Sequence, residues 1–451
     1  MKRRDFLRTM AQAAAAVGAF SLEHPLRFGL RQAHAATGKT LIVIFQRGGC
    51  DGLNSVVPYG DSAYYEQLRP TIGVAPSLES GIQLPSGLLN NTPALHIDSL
   101  FGLHPGLQPL HELYLQGDVA VLPTVHYPNA SFSHFDGQHF IESSASDADR
   151  NDKENLDGWL NRYLRNLMQD SLGQLPAVSF GSSLAQSLRG EVSVSSFQNL
   201  RNFSLGLPEA EENALVDRLL DLYNAAPVVD SYNRQLVHWA GRVVFNSLDV
   251  VRSLDPDYQP DPAADYPPGG YGDQLKQAAQ LIKEGVGLEV ASVNIGGWDT
   301  HSDQGGGDPN GWHGRRLNEF ARGIKALYDD LGTLMNDVVI LTMTEFGRTA
   351  RENGSLGTDH GNAASWFVVG PSVSGGVYLD YADGIDPQGW PGLSEDLLYH
   401  GRYLRQTIDY RDVMGEILGR FVPAVALPAG SAALSDILRG HSYRPIGFLP
   451  G

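Results

Sequence analysis

The sequence predicts an α/β fold with a mainly parallel central sheet and helices on both faces. Short apolar runs rich in β-branched residues alternate with longer segments of helical periodicity, the pattern of strands joined by crossover helices. The runs lie at residues 41–45, 119–125, 289–295, 338–343 and 366–369. Acidic and histidine residues follow several of these runs, and ligands collect at the carboxyl ends of strands in such sheets.

The helical segments fall into two groups. The run from Gly314 to Met335 carries Leu317, Phe320 and Ile324 at helical spacing, which predicts a helix whose apolar stripe faces the core. Residues 205–285 interrupt the alternation, and we expect three helices there, at about 208–224, 230–253 and 272–284. They are interpreted as an insertion beside the sheet or as a long excursion between strands.

The first 35 residues have the three parts of a twin-arginine export signal. Arg3 and Arg4 precede an apolar stretch from Ala11 to Leu22, and Ala33-His34-Ala35 supplies a cleavage site. The stretch is shorter than the roughly 20 residues that span a bilayer. We expect removal of residues 1–35 and export of residues 36–451 to the periplasm or the extracellular space, with no transmembrane span. An amphipathic surface helix is the alternative interpretation.

The chain is acidic, with a formal net charge of −18. Residues 1–35 carry six basic and two acidic side chains, so the net charge becomes −22 without them. This charge disfavours nucleic acid and anionic membranes as partners. Cys50 is the only cysteine, which excludes an internal disulfide and a cysteine-based zinc site.

Asp299 and His301 are the most informative pair. They follow the run at 289–295, and residues i and i+2 of an extended chain point to the same side. Both side chains can therefore bind one metal ion at the strand end. A helix-capping aspartate beside an exposed histidine is the alternative.

Other acids and histidines follow neighbouring strands. Asp51 comes after the first strand in a glycine-rich turn, Glu345 ends the run at 338–343, and Asp359 with His360 precedes the run at 366–369. Mixed oxygen and nitrogen ligands of this kind suit one or two divalent ions, namely Zn, Mn, Mg or Ca. For Asp51, a tight turn with a helix-capping carboxylate is the alternative.

Three further residues are candidates for catalysis. Ser133 and His134 begin a predicted helix after the run at 119–125, and Arg348 follows Glu345 by three residues. A metal and the helix dipole could activate Ser133 as a nucleophile, and Arg348 could hold a tetrahedral oxyanion bidentately. Ser133 as an ordinary helix N-cap is the alternative.

Several motifs occur in order along the mature chain. They are Gly-Gly-Cys-Asp-Gly-Leu-Asn (48–54), Leu-His-Pro (103–105), Ser-His-Phe-Asp (133–136), Gly-Trp-Asp-Thr-His (297–301), Thr-Glu-Phe-Gly-Arg-Thr (344–349), Thr-Asp-His-Gly (358–361) and Asp-Tyr-Arg-Asp-Val (409–413). With the twin-arginine start, they resemble the exported bacterial family called domain of unknown function 1501. That family is similar to the alkaline phosphatase–sulfatase superfamily, which implies an alkaline phosphatase-like domain with a metal-assisted esterase site.

The resemblance also implies roles for individual residues. Asp51 corresponds to a metal-binding aspartate after the first strand, and Ser133 falls near the nucleophile. Asp299 and His301 resemble an aspartate and a histidine on a shared metal, and His360 resembles the last metal histidine. Two features depart from the superfamily pattern. Asp299 and His301 are two residues apart instead of four, and Glu345-Phe346 stands where an Asp-His pair is usual unless Asp359-His360 takes that place.

These observations predict an exported metal-dependent hydrolase of phosphate or related esters, acting on a small-molecule or polymer substrate by metal-assisted attack of a serine. The alternative is a non-catalytic exported protein that keeps the fold for binding or assembly. The altered spacing of Asp299 and His301, together with the Glu345 substitution, favours the alternative. The number of polar residues at strand ends favours the hydrolase.

Overall fold

A computed structural model describes residues 38–128, 131–145, 157–167, 175–200, 205–224, 232–379, 389–422 and 430–450. The predicted export signal at 1–35 lies outside these residues. Among the described helices, none combines the length and apolar composition that a membrane span requires.

Strands and helices alternate through the described chain. The strands are β1 (Thr40–Arg47), β2 (Val56–Val57), β3 (Leu95–His96), β4 (Gly102–Leu103), β5 (Val119–His126), β6 (Ala177–Phe180), β7 (Ser195–Phe197), β8 (Val290–Gly296), β9 (Val338–Met343), β10 (Ala364–Val369), β11 (Gly376–Val377) and β12 (Ile408–Asp409). The α-helices are α1 (Gly52–Ser55), α2 (Gln108–Gln116), α3 (His134–Ser143), α4 (Trp159–Leu167), α5 (Glu209–Asn224), α6 (Tyr232–Ser253), α7 (Gly270–Lys283), α8 (Trp312–Leu331), α9 (Tyr410–Glu416) and α10 (Ala432–Ile437). Short 3-10 or π helices span Tyr64–Leu68, Leu78–Ser80, Pro105–Leu107, Gln186–Leu188, Gly332–Asp337 and Ile417–Phe421.

One large sheet organises the molecule. Its strand order is β11-β5-β10-β9-β1-β8-β6-β7, and β12 also pairs with β5. Strand β10 runs antiparallel to β5 and β9, whereas the other pairs are parallel. The predicted α/β fold with a mainly parallel sheet is confirmed, and all five predicted runs are strands of it.

Helices cover both faces of this sheet. Along β1, Ile42 and Ile44 belong to the core on one face, with Leu317 of α8, and Leu41 and Val43 belong to the core on the other. The second core includes apolar residues of α4, α9 and α10. Because side chains alternate between the two faces of a strand, every second residue supports a different layer.

The predicted helical region at 205–285 divides into two parts. Helices α5 and α6 pack on each other through a small cluster of Val216, Phe245 and Leu248. Helix α7 instead contributes residues such as Leu275 and Ala278 to the main core and contacts α8 and β8. It therefore belongs to the layer that covers the sheet. Helices α5 and α6 form the excursion, which joins the main core through Val250 near the end of α6.

The central parallel strands end close together. Strands β9, β1 and β8 are neighbours, so the turns after all three meet at one edge of the sheet. Gly48, at the end of β1, has φ +127°, and a Cβ there would lie 2.8 Å from the backbone nitrogen of Asp299. Only glycine permits this approach without displacing the β8 turn.

Candidate metal centre

Asp299 is the centre of a group of nitrogen atoms at this edge of the sheet. His301 Nε2 lies 3.0 Å and His360 Nε2 3.1 Å from its Oδ1 atom, and His134 Nε2 lies 3.4 Å from Oδ2. Arg348 Nη1 donates to Oδ1 at 2.7 Å. The donor atoms of His134, Asp299 and His360 all lie within 4.8 Å of one another, close enough to hold one metal ion.

Different elements supply these side chains. His134 is the first residue of α3, after Ser133 at the N-cap. Asp299 and His301 follow β8, where Gly297 turns the chain with φ +91°. His360 pairs with Arg348 in an isolated antiparallel bridge, which brings the segment before β10 back over the end of β9.

The second ring nitrogen of each histidine faces an oxygen atom. The Nδ1 contacts are His134 to Glu345 Oε1 at 2.8 Å, His301 to Asp359 Oδ1 at 3.3 Å and His360 to the Phe132 carbonyl at 2.7 Å. A carbonyl or ionised carboxylate can only accept, so each Nδ1 atom carries the proton. In the neutral histidines, the three Nε2 lone pairs therefore point toward the Asp299 carboxylate.

This arrangement leaves electron pairs facing one another. His301 Nε2 and His360 Nε2 are 3.2 Å apart, and both face Asp299 Oδ1. His134 Nε2 is buried and makes no hydrogen bond. Such contacts are favourable only when positive charge lies among them, as protons or as a cation. The donor set thus fits a divalent metal ion, with Nε2 as ligand and Nδ1 held by an oxygen acceptor, as in metal-binding histidines generally.

Glu345 orients His134 through its Nδ1 atom. Its buried Oε1 atom accepts hydrogen bonds from His134, from the Gly48 backbone N–H at 2.9 Å and from Gln138 Nε2 at 3.0 Å. Burial alone would raise the pKa of Glu345, but these hydrogen bonds lower it. The carboxylate in turn raises the pKa of His134 through the hydrogen bond they share.

Asp359 supports His301 in a similar way at the surface. Burial would raise the pKa of Asp359, but hydrogen bonds from Asn353 and His301 lower it, so this carboxylate is ionised at neutral pH. Its Oδ2 atom lies 3.3 Å from Arg402 Nη2. Glu345 and Asp359 were predicted as metal ligands. Each instead contacts the Nδ1 atom of a histidine, so the imidazole ring separates it from the converging Nε2 atoms.

The buried position of Arg348 does not fit its predicted role of holding a substrate oxyanion. Its side chain has no exposed surface, and its donors go to Asp299 Oδ1, to Thr358 Oγ1 at 3.2 Å and to the Thr358 carbonyl. A guanidinium enclosed in this way cannot hold a substrate oxyanion in this conformation. Burial would raise the pKa of Asp299, but Arg348 outweighs that effect and lowers it. Arg348 keeps Asp299 ionised and oriented.

Asp51 lies at the same edge of the sheet but outside the group around Asp299. Its carboxylate is buried and accepts two hydrogen bonds from Arg69, at 2.7 and 2.9 Å, and one from Gln304 Nε2 at 2.5 Å. Burial would raise the pKa of Asp51, but the Arg69 guanidinium lowers it. In the described residues, the donors that converge for a metal do not include Asp51.

Ser133 adjoins the group through its neighbour His134. Although it stands at the N-cap of α3, its side chain makes no capping hydrogen bond. Its backbone nitrogen donates to Ser131 Oγ at 3.2 Å. The hydroxyl is therefore not engaged in the ordinary structural role of an N-cap serine.

Sequence reasoning missed three contributions to this site. It named His134 as a candidate for catalysis, yet His134 Nε2 is among the converging donors. It assigned no role to Gln304 or Arg402, which lie in loops without periodicity. The Ser-His-Phe-Asp motif was the available signal for His134, and for Gln304 the sequence offers none.

Some solved structures are distantly similar to this chain. No curated protein matches the chain. A protein of the alkaline phosphatase superfamily from Vibrio parahaemolyticus is similar at 9% identity and a TM-score of 0.33, over 84% of this chain and 72% of that one. A 2-O GAG sulfatase is similar at 10% identity and a TM-score of 0.31, over 92% of this chain and 76% of that one.

The family assignment has a broader basis. A family model described as protein of unknown function (DUF1501) matches residues 38–430, which include every strand and all but one α-helix of the described structure. The resemblance inferred from the ordered motifs is confirmed. The chain belongs to the DUF1501 family.

Proposed function

We propose that this protein is an exported metal-dependent hydrolase of phosphate or related esters. The observation that carries the proposal is the convergence of three histidine Nε2 atoms on the Asp299 carboxylate, with all three Nδ1 atoms held by oxygen acceptors. Purely structural histidines have no need of this common orientation. A cation among these atoms resolves their mutual repulsion.

The ligands of the ion are His134, Asp299 and His360, with His301 as a fourth. Imidazole nitrogens with one carboxylate suit Zn²⁺ and Mn²⁺ better than Mg²⁺ or Ca²⁺, which prefer oxygen ligands. When bound, a divalent ion polarises the ester and stabilises the charge that develops during its cleavage.

Ser133 is the proposed nucleophile. Its hydroxyl is not used as a helix cap, and the N-terminus of the ten-residue helix α3 favours negative charge at this position. Attack by Ser133 Oγ on phosphorus forms a seryl phosphate and breaks the bond to the alcohol, which leaves with the serine proton. Water then releases inorganic phosphate and restores the hydroxyl.

Arg402 takes the role that the sequence suggested for Arg348. Its side chain is 55% exposed, and its ion pair with Asp359 links it to His301. We expect Arg402→Ala to raise KM for 4-nitrophenyl phosphate about 10–100-fold, because a hydrogen bond to a charged group contributes roughly 1.5–3 kcal/mol. Hydrolysis of the uncharged 4-nitrophenyl acetate should change little. Arg351→Ala, which removes another exposed arginine, is the control.

Metal analysis and activity screening test the central proposal. We expect purified protein to contain Zn or Mn, and chelation to abolish hydrolysis of phosphomonoesters, diesters or sulfate esters until the metal is restored. A protein that binds none of Zn, Mn, Mg or Ca contradicts the proposal.

A non-catalytic binding or assembly protein is the second candidate. The burial of Arg348 and the occupation of Asp51 by Arg69 favour it, because both remove charged groups from the reacting centre. A chain that binds metal yet hydrolyses no ester would support this candidate.

The proposed export depends on Arg3 and Arg4. Replacing both with lysine should retain the protein in the cytoplasm, because the paired arginines are the recognised feature of the signal. Arg8→Lys is the matched control. Equal amounts of both variants in the periplasmic or extracellular fraction would contradict export by this route.

A further inference from the structure

A line of buried polar side chains leads away from Asp299 into the interior. Arg348 is its first member, because Nη1 donates to Asp299 Oδ1 at 2.7 Å. The other side of the guanidinium is fixed by Thr358, whose hydroxyl accepts from Nε at 3.2 Å and whose carbonyl accepts from Nη2 at 2.5 Å. Thr358 thereby sets the plane of the guanidinium and the direction of Nη1.

Gln304 continues the line. Its Oε1 atom accepts from Thr358 Oγ1 at 3.2 Å and from Thr300 Oγ1 at 2.9 Å, and its Nε2 atom donates to Asp51 Oδ2 at 2.5 Å. The ionised Asp51 carboxylate can only accept, so the orientation of the amide is determined.

The Asp51–Arg69 ion pair anchors the far end. Besides Asp51, Arg69 donates to the Thr349 and Ala350 carbonyls at 3.0 and 3.1 Å. Arg69, Asp51, Gln304, Thr358 and Arg348 are all buried. Loss of one hydrogen bond in such a network leaves its partner unsatisfied in a low-dielectric interior.

We infer that Thr358 and Gln304 are positioning residues for the metal ligand Asp299, with the Asp51–Arg69 pair as their anchor. The inference rests on the proposed function, because the orientation of Asp299 matters for metal affinity only if Asp299 is a metal ligand. It also gives Asp51 a role other than that of a ligand. Neither Thr358 nor Gln304 is among the converging donors, so they act on Asp299 indirectly, through Arg348 and through the neighbouring Thr300, with which both are hydrogen-bonded.

A simple scaffold role makes a different prediction. If the network only holds together the loops that carry Thr300, Gln304 and Thr358, its loss lowers stability without a specific effect on metal affinity. Thr124 of strand β5 provides a matched control. Its buried hydroxyl pairs with Thr407 Oγ1 at 2.7 Å, and within the described part of the chain no hydrogen bond joins its side chain to a residue of the site.

The test compares Thr358→Val, Thr358→Ser, Gln304→Met and Thr124→Val in the full chain. Zn²⁺ and Mn²⁺ dissociation constants are measured by calorimetry, and stability by urea unfolding of the metal-free proteins. We expect Thr358→Val and Gln304→Met to bind metal about 10–100-fold more weakly, the range for loss of an outer-shell partner. Thr358→Ser and Thr124→Val should bind like the unsubstituted protein. A crystal structure of metal-free Thr358→Val should show Asp299 displaced from Arg348 Nη1.

Two results would overturn the inference. One is metal affinity in Thr358→Val equal to that in Thr124→Val, and the other is a Thr358→Ser variant as weak as Thr358→Val. If the unsubstituted protein binds no metal, the proposed function fails. The distance between Asp299 Oδ1 and Arg348 Nη1 in the crystal of metal-free Thr358→Val then still decides the positioning role.

Discussion

At the scale of residues, the chemistry of the site depends on which nitrogen of each histidine carries a proton. The Glu345 and Asp359 carboxylates and the Phe132 carbonyl hold the Nδ1 atoms, and this leaves Nε2 for a cation. The sequence predicted the strand-end residues of this group because parallel strands share a carboxyl edge. The sequence did not reveal which residues face the ion directly and which only orient a ligand, because this distinction depends on the directions of the side chains.

The distinction between metal ligands and the residues that orient them can be measured. We expect His134→Ala and His360→Ala to lose more metal affinity than Glu345→Gln, because the histidines supply ligand atoms and Glu345 only orients one. Loss of the outer partner should cost roughly 10–100-fold in the dissociation constant. His111→Ala in helix α2, whose Nε2 atom faces a backbone carbonyl, should cost nothing. Equal losses in His134→Ala and Glu345→Gln would contradict the assignment.

The Asp51–Arg69 pair has a second measurable consequence. Asp51→Asn leaves the buried guanidinium uncompensated and should reduce the free energy of unfolding at pH 7 by about 3–5 kcal/mol. Because the folded-state pKa of Asp51 lies below its ordinary value of 3.8, its contribution is present above that pH and is lost as the pH falls through the folded pKa.

The difference between Asp51→Asn and the unsubstituted protein should therefore shrink in acid. Asp337→Asn is the control, because Asp337 pairs with Lys39 at the surface and such pairs contribute about 0–1 kcal/mol. Urea unfolding from pH 3 to 7 measures both variants. A loss at pH 7 as small as that of the control would contradict the structural role of the pair.

At the scale of elements, long periodic segments were predictable and short irregular ones were not. The predicted helix at 314–335 is an α-helix from Trp312 to Leu331, and Gly332, with φ +51°, ends it before a 3-10 turn. The stretch 59–95 carries loop composition, yet it contains a π-helix at Tyr64–Leu68 directly before Arg69. No period in the sequence indicates that this loop supplies the partner of Asp51.

Helices α5 and α6 should open independently of the sheet. Val216, Phe245 and Leu248 form a small cluster of their own, and of the described buried residues of these two helices only Val250 joins the main core, in which α7 and α8 pack. Phe245→Ala should therefore increase hydrogen exchange in α5 and α6 and leave exchange in β1 and β8 and metal affinity unchanged. Phe320→Ala in α8 is the comparison and should destabilise the whole domain by about 3–5 kcal/mol. If Phe245→Ala increased hydrogen exchange in β1 and β8 as much as in α5 and α6, the two helices would not open independently of the sheet.

At the scale of the whole molecule, the sheet brings distant parts of the sequence to one edge. Strands β6, β7 and β8 and the helices α5 and α6 lie between His134 and Asp299 in the described sequence, and the segment before β10 brings His360 to the same edge. This architecture was predictable, because alternation of strands and helices restricts the topology. The net charge of −18 indicates solubility and repulsion of polyanions, and carries no information about the site.

Metal binding should stabilise the entire fold in a pH-dependent way. A ligand that binds only the folded state adds about 2.7 kcal/mol at 100 times its dissociation constant, which corresponds to a rise in Tm of about 3 °C for a chain of this size. Protons and cations compete for the same imidazole nitrogens, so the rise produced by Zn²⁺ or Mn²⁺ should be present at pH 8 and largely lost at pH 5.5. Calorimetry with and without chelator measures it, and His360→Ala should abolish the rise at both pH values. An equal rise at both pH values in the unsubstituted protein would mean that carboxylates, and not the three histidines around Asp299, hold the ion.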